Sequence, residues 1–227
     1  MKLLALDTST DHLSLSLILD DQQIDRAWQV GQQHSELTLP YLRQLLADCQ
    51  LSLSQLDGIA VGIGPGSFTG LRIGCGIVQG LAFGIDRPVV GINTLAALAT
   101  ATTGPRAFVA MDARMSQVYY AAFERDANGV PHEVIPTGLA NPEQVLLPEN
   151  QDWHGIGNGF AAYGPALQQR LGTQLASITP DRLPLACDIA RLARHEFAAG
   201  RAVAADALEL LYVRDKVAQK THERAKA

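Results

Sequence analysis

The sequence predicts an α/β protein made of two similar lobes. Hydrophobic residues make up 47% of the chain and charged residues 18%, a balance typical of a compact protein with a sizeable core. A length of 227 residues allows one large or two small domains. The same order of elements occurs on both sides of a break at Thr103-Gly104-Pro105. We therefore expect an N-terminal lobe over residues 1–103 and a C-terminal lobe with a basic tail over residues 104–227.

The first half contains short apolar runs, alternating segments and amphipathic stretches. Residues 12–19 alternate leucine with serine, which is typical of a half-buried strand. Residues 37–49 place apolar side chains at helical spacing, with Pro40 fitting the first turn of a helix. The predicted strands are 3–8, 12–19, 22–30, 56–63 and 88–92, and the predicted helices are 37–49, 68–84 and 94–102.

The second half repeats three strands, a helix, a strand and a helix. Asn128-Gly129 is a strong hairpin signal, and Asn141-Pro142 is a typical helix start. The predicted strands are 107–112, 117–124, 130–137 and 153–156; the helices begin at 141, 160 and 184, and the last two end at 171 and 199. The repeated order favours duplicated lobes.

Composition excludes several classes of protein. The net charge of -5 argues against a phosphate-binding surface over the whole molecule. The most apolar stretch, residues 73–85, is interrupted by Gln79 and glycines, and the apolar start is too short for a signal peptide, so we expect no membrane span and a cytoplasmic protein. The three scattered cysteines indicate buried free thiols, and the histidines show no metal-binding spacing.

The glycine-rich segment 62–74 lies between a predicted strand and a predicted helix. Gly64 and Gly66 precede Ser67, a natural N-cap, and backbone N–H groups at such a helix start suit an anion. Neither the dinucleotide fingerprint nor the P-loop fits. A tight strand-to-helix turn and a phosphate-binding loop both remain open. A serine hydrolase lacks support, because no GxSxG elbow surrounds Ser67.

Glycines recur along one side of the helix that follows. Five of them fall within an arc of about 160°: Gly70, Gly74, Gly76, Gly80 and Gly84. Such a stripe indicates close backbone approach, either by the protein's own sheet or by a partner subunit. For the partner interface we expect Leu37, Tyr41, Leu42, Leu45 and Leu46 of the first helix together with Gly70, Gly74, Gly76 and Gly80.

Asp7 and Asp112 end equivalent strands of the two halves. In a two-lobed fold such carboxylates can face the cleft and hold a metal–phosphate complex; the alternative is a capped strand end. The candidate phosphate contacts are Asp7, Thr8, Ser9, Gly64, Gly66 and Ser67. No glycine accompanies Asp7, which speaks against nucleotide binding by this chain alone. The basic tail from Arg214 onward is either a solvated end or an RNA contact.

The segment Gly64-Pro65-Gly66-Ser67-Phe68-Thr69-Gly70-Leu71-Arg72-Ile73-Gly74 closely resembles the TsaB (YeaZ) family of bacterial tRNA threonylcarbamoyladenosine biosynthesis subunits. Three further stretches agree: Leu4-Ala5-Leu6-Asp7-Thr8-Ser9, His34-Ser35-Glu36 and Leu211-Tyr212-Val213-Arg214. The resemblance spans nearly the whole chain. It departs at Leu210, where proline is expected.

The resemblance implies two duplicated lobes like those of actin, sugar kinases and the Hsp70 ATPase domain, a ribonuclease H-like fold. It also implies a role beside a catalytic relative, TsaD, and the small ATPase TsaE, in moving threonylcarbamoyl to the adenosine next to the tRNA anticodon. The chain would form a homodimer when alone and reach tRNA through the complex. We expect no cofactor other than ATP or ADP bound weakly at the interface with TsaD.

TsaD carries an HxxxH metal motif whose positions correspond to Thr94 and Leu98 here. Neither a threonine nor a leucine side chain ligates iron or zinc as histidine does. The resemblance therefore implies an accessory subunit with no catalytic residues and no metal of its own. A small-molecule kinase or ATPase of the same fold, and a peptidase, are the alternatives.

Overall fold

Two five-stranded mixed sheets form the framework of the protein in a computed structural model that describes residues 1–214. The strands are β1 (Lys2–Asp7), β2 (His12–Leu19), β3 (Gln22–Gln29), β4 (Gly58–Gly64), β5 (Val89–Asn93), β6 (Arg106–Asp112), β7 (Val118–Arg125), β8 (Pro131–Ala140), β9 (Trp153–Ile156) and β10 (Leu175–Thr179). The α-helices are α1 (His34–Asp48), α2 (Phe68–Ile85), α3 (Thr94–Ala99), α4 (Gly159–Leu171) and α5 (Ala186–Ala198).

The two sheets share one topology. The first has the order β3-β2-β1-β4-β5 and the second β8-β7-β6-β9-β10. In each, the first strand pairs antiparallel with the next strand along the chain and parallel with the fourth, and the fifth lies parallel to the fourth. This match in order and direction confirms the duplicated α/β fold.

Helices cover the faces of both sheets. Helices α1 and α2 pack on one face of the first sheet through a core that includes Leu13, Leu45 and Val78. Helix α5 packs on its opposite face, where Ile189 meets Ala5. Helix α4 covers one face of the second sheet and α3 the other, and α3 also contacts α5. The central layer of α3 and α5 thus joins the two lobes.

The C-terminal part of the chain returns to the first lobe. Helix α5 contacts β1, β2, β4 and β5, although it follows the second sheet in sequence. Val203 then forms an isolated antiparallel bridge with Val89 of β5. The second sheet begins at Arg106. Residues 186–208, which the expected division at 103/104 assigns to the C-terminal lobe, pack against the first sheet instead. From here on, lobe I denotes the first sheet with α1, α2 and α5, and lobe II the second sheet with α4.

Three expected elements differ from the structure. Helix α1 begins at His34, so Pro40 lies inside it and leaves one intrahelical hydrogen bond unmade. The helix expected at Asn141 is a single 3₁₀ turn, Pro142–Gln144; Pro148 disfavours helical backbone at the residue before it. Strand β10 was not expected, because it is a short edge strand with no fully buried residue.

Helix α2 is the one described helix that is long and apolar enough to span a membrane by length and composition alone, and a third of it is buried within the described residues. Its inner side, with Cys75, Val78 and Ala82, packs into the core of lobe I. Cys75 is the buried cysteine, whereas Cys49 and Cys187 are partly exposed. The basic tail after Arg214 lies outside the described residues.

Candidate functional site

The glycine turn and the start of α2 are built around the end of β1. The Ser67 amide donates to the Ser9 carbonyl oxygen (2.7 Å), and the Gly64 amide donates to Thr94 Oγ1 (3.1 Å). Ser67 Oγ accepts from the Gly70 amide (3.3 Å), which caps the helix as expected. A side chain at Gly66 would overlap the backbone of Ser9. Three of the N–H groups that could bind an anion are therefore already used inside the protein.

The first turns of α2 lie directly against Thr8. Thr8 is fully buried, and its Oγ1 donates to the Gly70 carbonyl oxygen (2.8 Å). A methyl group at Gly70 would overlap the Thr8 carbonyl oxygen, and one at Gly74 would overlap Thr8 Oγ1. These two glycines serve packing on the protein's own sheet, so their expected place in a partner interface is wrong.

Asp7 does not face the cleft between the lobes. Its side chain lies under α5, since Asp7 Oδ2 and the Ile189 side chain both lie beside Gly62, and the residue is 1% exposed. Oδ1 accepts from the Ser9 amide (3.1 Å) and the Ser9 hydroxyl (2.8 Å), whereas Oδ2 has no hydrogen-bond partner within residues 1–214. Burial raises the pKa of Asp7 to about 7, and the neighbouring Asp188 adds to the shift. The expectation that both strand-end carboxylates face the cleft is therefore wrong for Asp7.

Asp112 is the strand-end carboxylate that lines the cleft, a cavity of about 1050 Å³. Its Oδ1 accepts from Tyr163 Oη (3.0 Å) and from the Arg114 amide (2.8 Å), and Oδ2 lies 3.2 Å from Arg114 Nη1. Of the candidate phosphate contacts, Ser9, Gly66 and Ser67 line this cavity. Residues 1–214 contain no cluster of three potential metal-binding side chains.

The hydrogen bonds around Ser67 do not form a hydrolytic dyad. The imidazole Nδ1 of His12, which also lines the cleft, lies 3.0 Å from Asp11 Oδ1. In the described part of the chain no hydrogen bond joins Ser67 to a histidine, and its Oγ is used as the helix cap. Nucleophilic catalysis needs a base within hydrogen-bond reach of the nucleophile, so the site gives a peptidase no support.

The outer face of α2, here Ile73, Gly76, Ile77, Gly80, Phe83 and Gly84, is exposed or only partly covered. Apart from the two adjacent residues and the helix's own backbone, no atom of residues 1–214 lies within 4 Å of the place that a Cβ would take at Gly76, Gly80 or Gly84. Phe83 is 83% exposed, the largest fraction among the exposed large apolar side chains of these residues. The glycine stripe thus divides into an inner pair that packs on Thr8 and an outer set that is open. Phe83 was missed in the sequence, although its helical spacing to Gly76, Gly80 and Gly84 places it beside them.

Helix α1 turns most of its apolar arc inward. Leu42, Leu45 and Leu46 are at least 91% buried in the core of lobe I, so their expected exposure to a partner is wrong. Tyr41 stacks on Trp28 with ring centroids 4.4 Å apart, and Leu37 is partly buried against the same core. The wide arc is needed because α1 packs on both the sheet and α2.

An open groove of about 520 Å³ runs beside α1, with Leu42 and Leu46 at its lining. Leu39 is 49% exposed there, and Leu81 of α2 contributes to the same groove. Leu39 of α1 and Leu81 of α2 thus place apolar side chains on the same groove.

Thr94 and Leu98 are the two positions that the resemblance aligns with the HxxxH motif. Both are fully buried: Thr94 accepts the hydrogen bond from the Gly64 amide, and Leu98 lies in the core between α3 and the second sheet. Leu98 has no donor atom for a metal, so this helix turn serves packing.

Known proteins resemble this chain over most of its length. The family model described as "TsaD: tRNA N6-adenosine threonylcarbamoyltransferase" matches residues 28–219. The chain is 35% identical to the tRNA threonylcarbamoyladenosine biosynthesis protein TsaB of Escherichia coli (strain K12), over 97% of both chains. It is 34% identical to TsaB of Haemophilus influenzae, covering 97% of this chain and 96% of the relative.

A solved structure, YeaZ from Pseudomonas aeruginosa, superposes with a TM-score of 0.85 at 34% identity and covers 93% of this chain and 99% of that one. This likeness extends the agreement from sequence to fold, including the two duplicated ribonuclease H-like lobes. Because sequence and structure match over nearly the full length of these relatives, the chain belongs to the TsaB family of tRNA threonylcarbamoyladenosine biosynthesis proteins.

Proposed function

We propose that this protein is a non-catalytic partner subunit in tRNA threonylcarbamoyladenosine biosynthesis, and that it binds a TsaD transferase through the outer face of α2. The observation that carries the proposal is the exposure of Phe83 beside three unobstructed glycines. Large apolar side chains next to small residues are typical of helix–helix interfaces, since the glycines allow a second backbone to approach closely.

The hydrogen bonds and the burial of the candidate site residues support an accessory role. The glycine turn uses its N–H groups to bind Ser9 just after β1 and Thr94 of α3, and Asp7 is buried away from the cleft. Leu98, which the resemblance aligns with a histidine of the HxxxH motif, carries no metal-ligating atom. Catalysis would then be supplied by the partner, and tRNA would be reached through the complex. We expect the same α2 face to form a homodimer when the partner is absent. TsaE, and a nucleotide bound weakly at the interface with TsaD, complete the proposed assembly.

Co-purification of the chain with the TsaD protein of the same organism tests the proposal. Gly80→Arg places a long charged side chain on the outer face of α2, where space for it exists in the free chain. We expect this variant to fold normally, to lose binding to TsaD and to fail in supporting threonylcarbamoyl transfer by TsaD. Ala198→Arg is the matched control, because Ala198 is an exposed helical position on α5, across the first sheet from α2.

Two results would contradict the proposal. One is unchanged binding of Gly80→Arg to TsaD, which would place the interface elsewhere. The other is ATP hydrolysis or threonylcarbamoyl transfer by the isolated wild-type chain, which would instead favour a catalytic role. Circular dichroism of both variants separates loss of binding from loss of fold.

A further inference from the structure

The last described residues cross from one lobe to the other. Leu208 is buried in lobe I, and the Leu211 amide donates to the Ile63 carbonyl oxygen at the end of β4 (2.9 Å). Only three residues later, Arg214 contacts lobe II. Residues 211–214, here called the strap, all line the cleft between the lobes.

Tyr212 holds the strap to the first turn of α2. Its Oη accepts from Arg72 Nε (3.0 Å), and its ring lies 5.7 Å from the Phe68 ring. The Arg72 guanidinium carbon is 4.0 Å from the centre of the Phe68 ring and 5.8 Å from that of Tyr212. The guanidinium therefore contacts one aromatic ring from its own helix and one from the strap, a favourable cation–π arrangement.

Arg214 holds the other end of the strap to the hairpin between β6 and β7. Its Nη2 donates to Gln117 Oε1 (2.8 Å), Nη1 lies 3.5 Å from Met115 Sδ, and the guanidinium carbon is 5.9 Å from the centre of the Tyr119 ring. These contacts include both a charge-assisted hydrogen bond and apolar surface.

The hairpin that Arg214 contacts has an unusual backbone. Arg114, Met115 and Ser116 have φ angles of 60°, 55° and 57°, three successive non-glycine residues in the left-handed region. Such residues are individually unfavourable and persist where surrounding contacts over-determine them. Two contacts of this kind are the Asp112 carboxylate, which accepts from the Arg114 amide, and the Arg214 side chain.

We propose that the strap is a latch that holds the β6–β7 hairpin of lobe II in its strained conformation by anchoring it to α2 of lobe I. The lobes also meet through α3, which packs against both sheets in the layer between them. The strap adds a second connection at the cleft, so the hairpin depends on a contact that originates in the other lobe. This proposal is independent of the partner role.

Hydrogen exchange of the full-length chain, followed by mass spectrometry, tests the latch. The readout is the hairpin segment 113–117, where the Ala113 amide bonds to the Gln117 carbonyl oxygen and the Gln117 amide to the Arg114 carbonyl oxygen. Arg214→Gln should raise the exchange rate of this segment about tenfold or more, because the local opening becomes easier. Tyr212→Ala should raise it as well, although that side chain makes its hydrogen bond and its aromatic contact with Arg72 and Phe68 of lobe I.

The response to Tyr212→Ala decides the proposal. If only Arg214→Gln affects the hairpin, Arg214 acts locally and the latch is overturned; no effect from either variant overturns it too. Tyr212→Phe removes only the oxygen that accepts from Arg72. If Tyr212→Ala disturbs the fold, this variant tests whether the contact of the strap with lobe I affects the hairpin in lobe II. It should raise hairpin exchange by a smaller factor, and an unchanged rate would contradict the proposal. Glu209→Ala, at an exposed position just before the strap, is the control and should leave the hairpin unaffected.

Discussion

Thr8 Oγ1 donates a hydrogen bond of 2.8 Å to the carbonyl oxygen of Gly70 in the first turn of α2. This bond joins the end of the central strand to the helix whose outer face we propose as the partner surface. It is possible because Gly70 and Gly74 have no side chains, so that the helix backbone can approach Thr8 directly.

Alanine substitutions along α2 should therefore have opposite effects on its two sides. Gly74→Ala would overlap Thr8 Oγ1 and disturb its bond to Gly70, so we expect a loss of roughly 1–3 kcal/mol in the free energy of unfolding. Gly76→Ala meets open space and should raise that free energy by about 0.5–1 kcal/mol through helix propensity. Urea unfolding measures both; equal effects would show that the glycines are not divided between two faces.

Asp7 should make stability depend on pH. The unfolded chain ionises this carboxyl near the ordinary pKa of 3.8, whereas burial raises its pKa to about 7 in the folded chain. Between these values the folded protein holds more protons than the unfolded one, so the free energy of unfolding falls as pH rises from about 4 to about 7. Asp7→Asn keeps an acceptor for Ser9 and removes the charge. We expect it to stabilise the fold by roughly 2–4 kcal/mol at pH 8 and by little at pH 4.

Urea unfolding of Asp7→Asn and wild type across pH 4–8 checks this expectation. Burial lowers the pKa of His154, which weakens the fold at acid pH in both proteins and so cancels in the comparison. Asp21→Asn, at an exposed carboxylate, is the control. A difference between Asp7→Asn and wild type that stays constant with pH would contradict the assignment.

Leu42 of α1 should act as a core residue. It is 4% exposed, so Leu42→Ala should cost roughly 2–5 kcal/mol in the free energy of unfolding. Leu39→Ala, on the exposed side of the same helix, should change it by less than about 1 kcal/mol. Thermal or urea unfolding distinguishes them, and a tolerated Leu42→Ala would restore the outward orientation that its helical spacing suggested.

Phe83 should contribute binding energy without contributing stability. Burying a phenylalanine at an interface is worth about 1.5–3 kcal/mol, which corresponds to roughly a tenfold to hundredfold loss of affinity in Phe83→Ser. Its side chain is 83% exposed, so unfolding should be nearly unaffected. Sedimentation velocity, with and without TsaD, measures the association; Val134→Ser, on the exposed side of β8, is the control. Retained association of Phe83→Ser would remove Phe83 from the proposed surface.

Local patterns in the sequence were sufficient for most elements of the fold. Alternation over 12–19 and apolar spacing over 68–84 depend on neighbours two to four residues away, and such patterns follow directly from strand and helix geometry. The expectation that the strand over 12–19 is half-buried is wrong, because α5 covers its serine face and Ser14 and Ser16 are buried as well. The N-cap at Ser67 is equally local, and the structure confirms its bond to Gly70. The weakly patterned edge strand β10 lacked such a signal.

What tertiary structure decided is which side of each element meets which neighbour. The apolar arc of α1 and the glycines of α2 predicted contact surfaces, but helical spacing alone does not state whether sheet, neighbouring helix or partner occupies them. Packing against Thr8 assigned Gly70 and Gly74 to the interior and left Gly76 and Gly80 open. Asp7 lies under α5 because that helix returns to the first sheet from the far end of the chain. Asp7 and Ile189 are about 180 positions apart in sequence, and no local pattern encodes a contact over that separation.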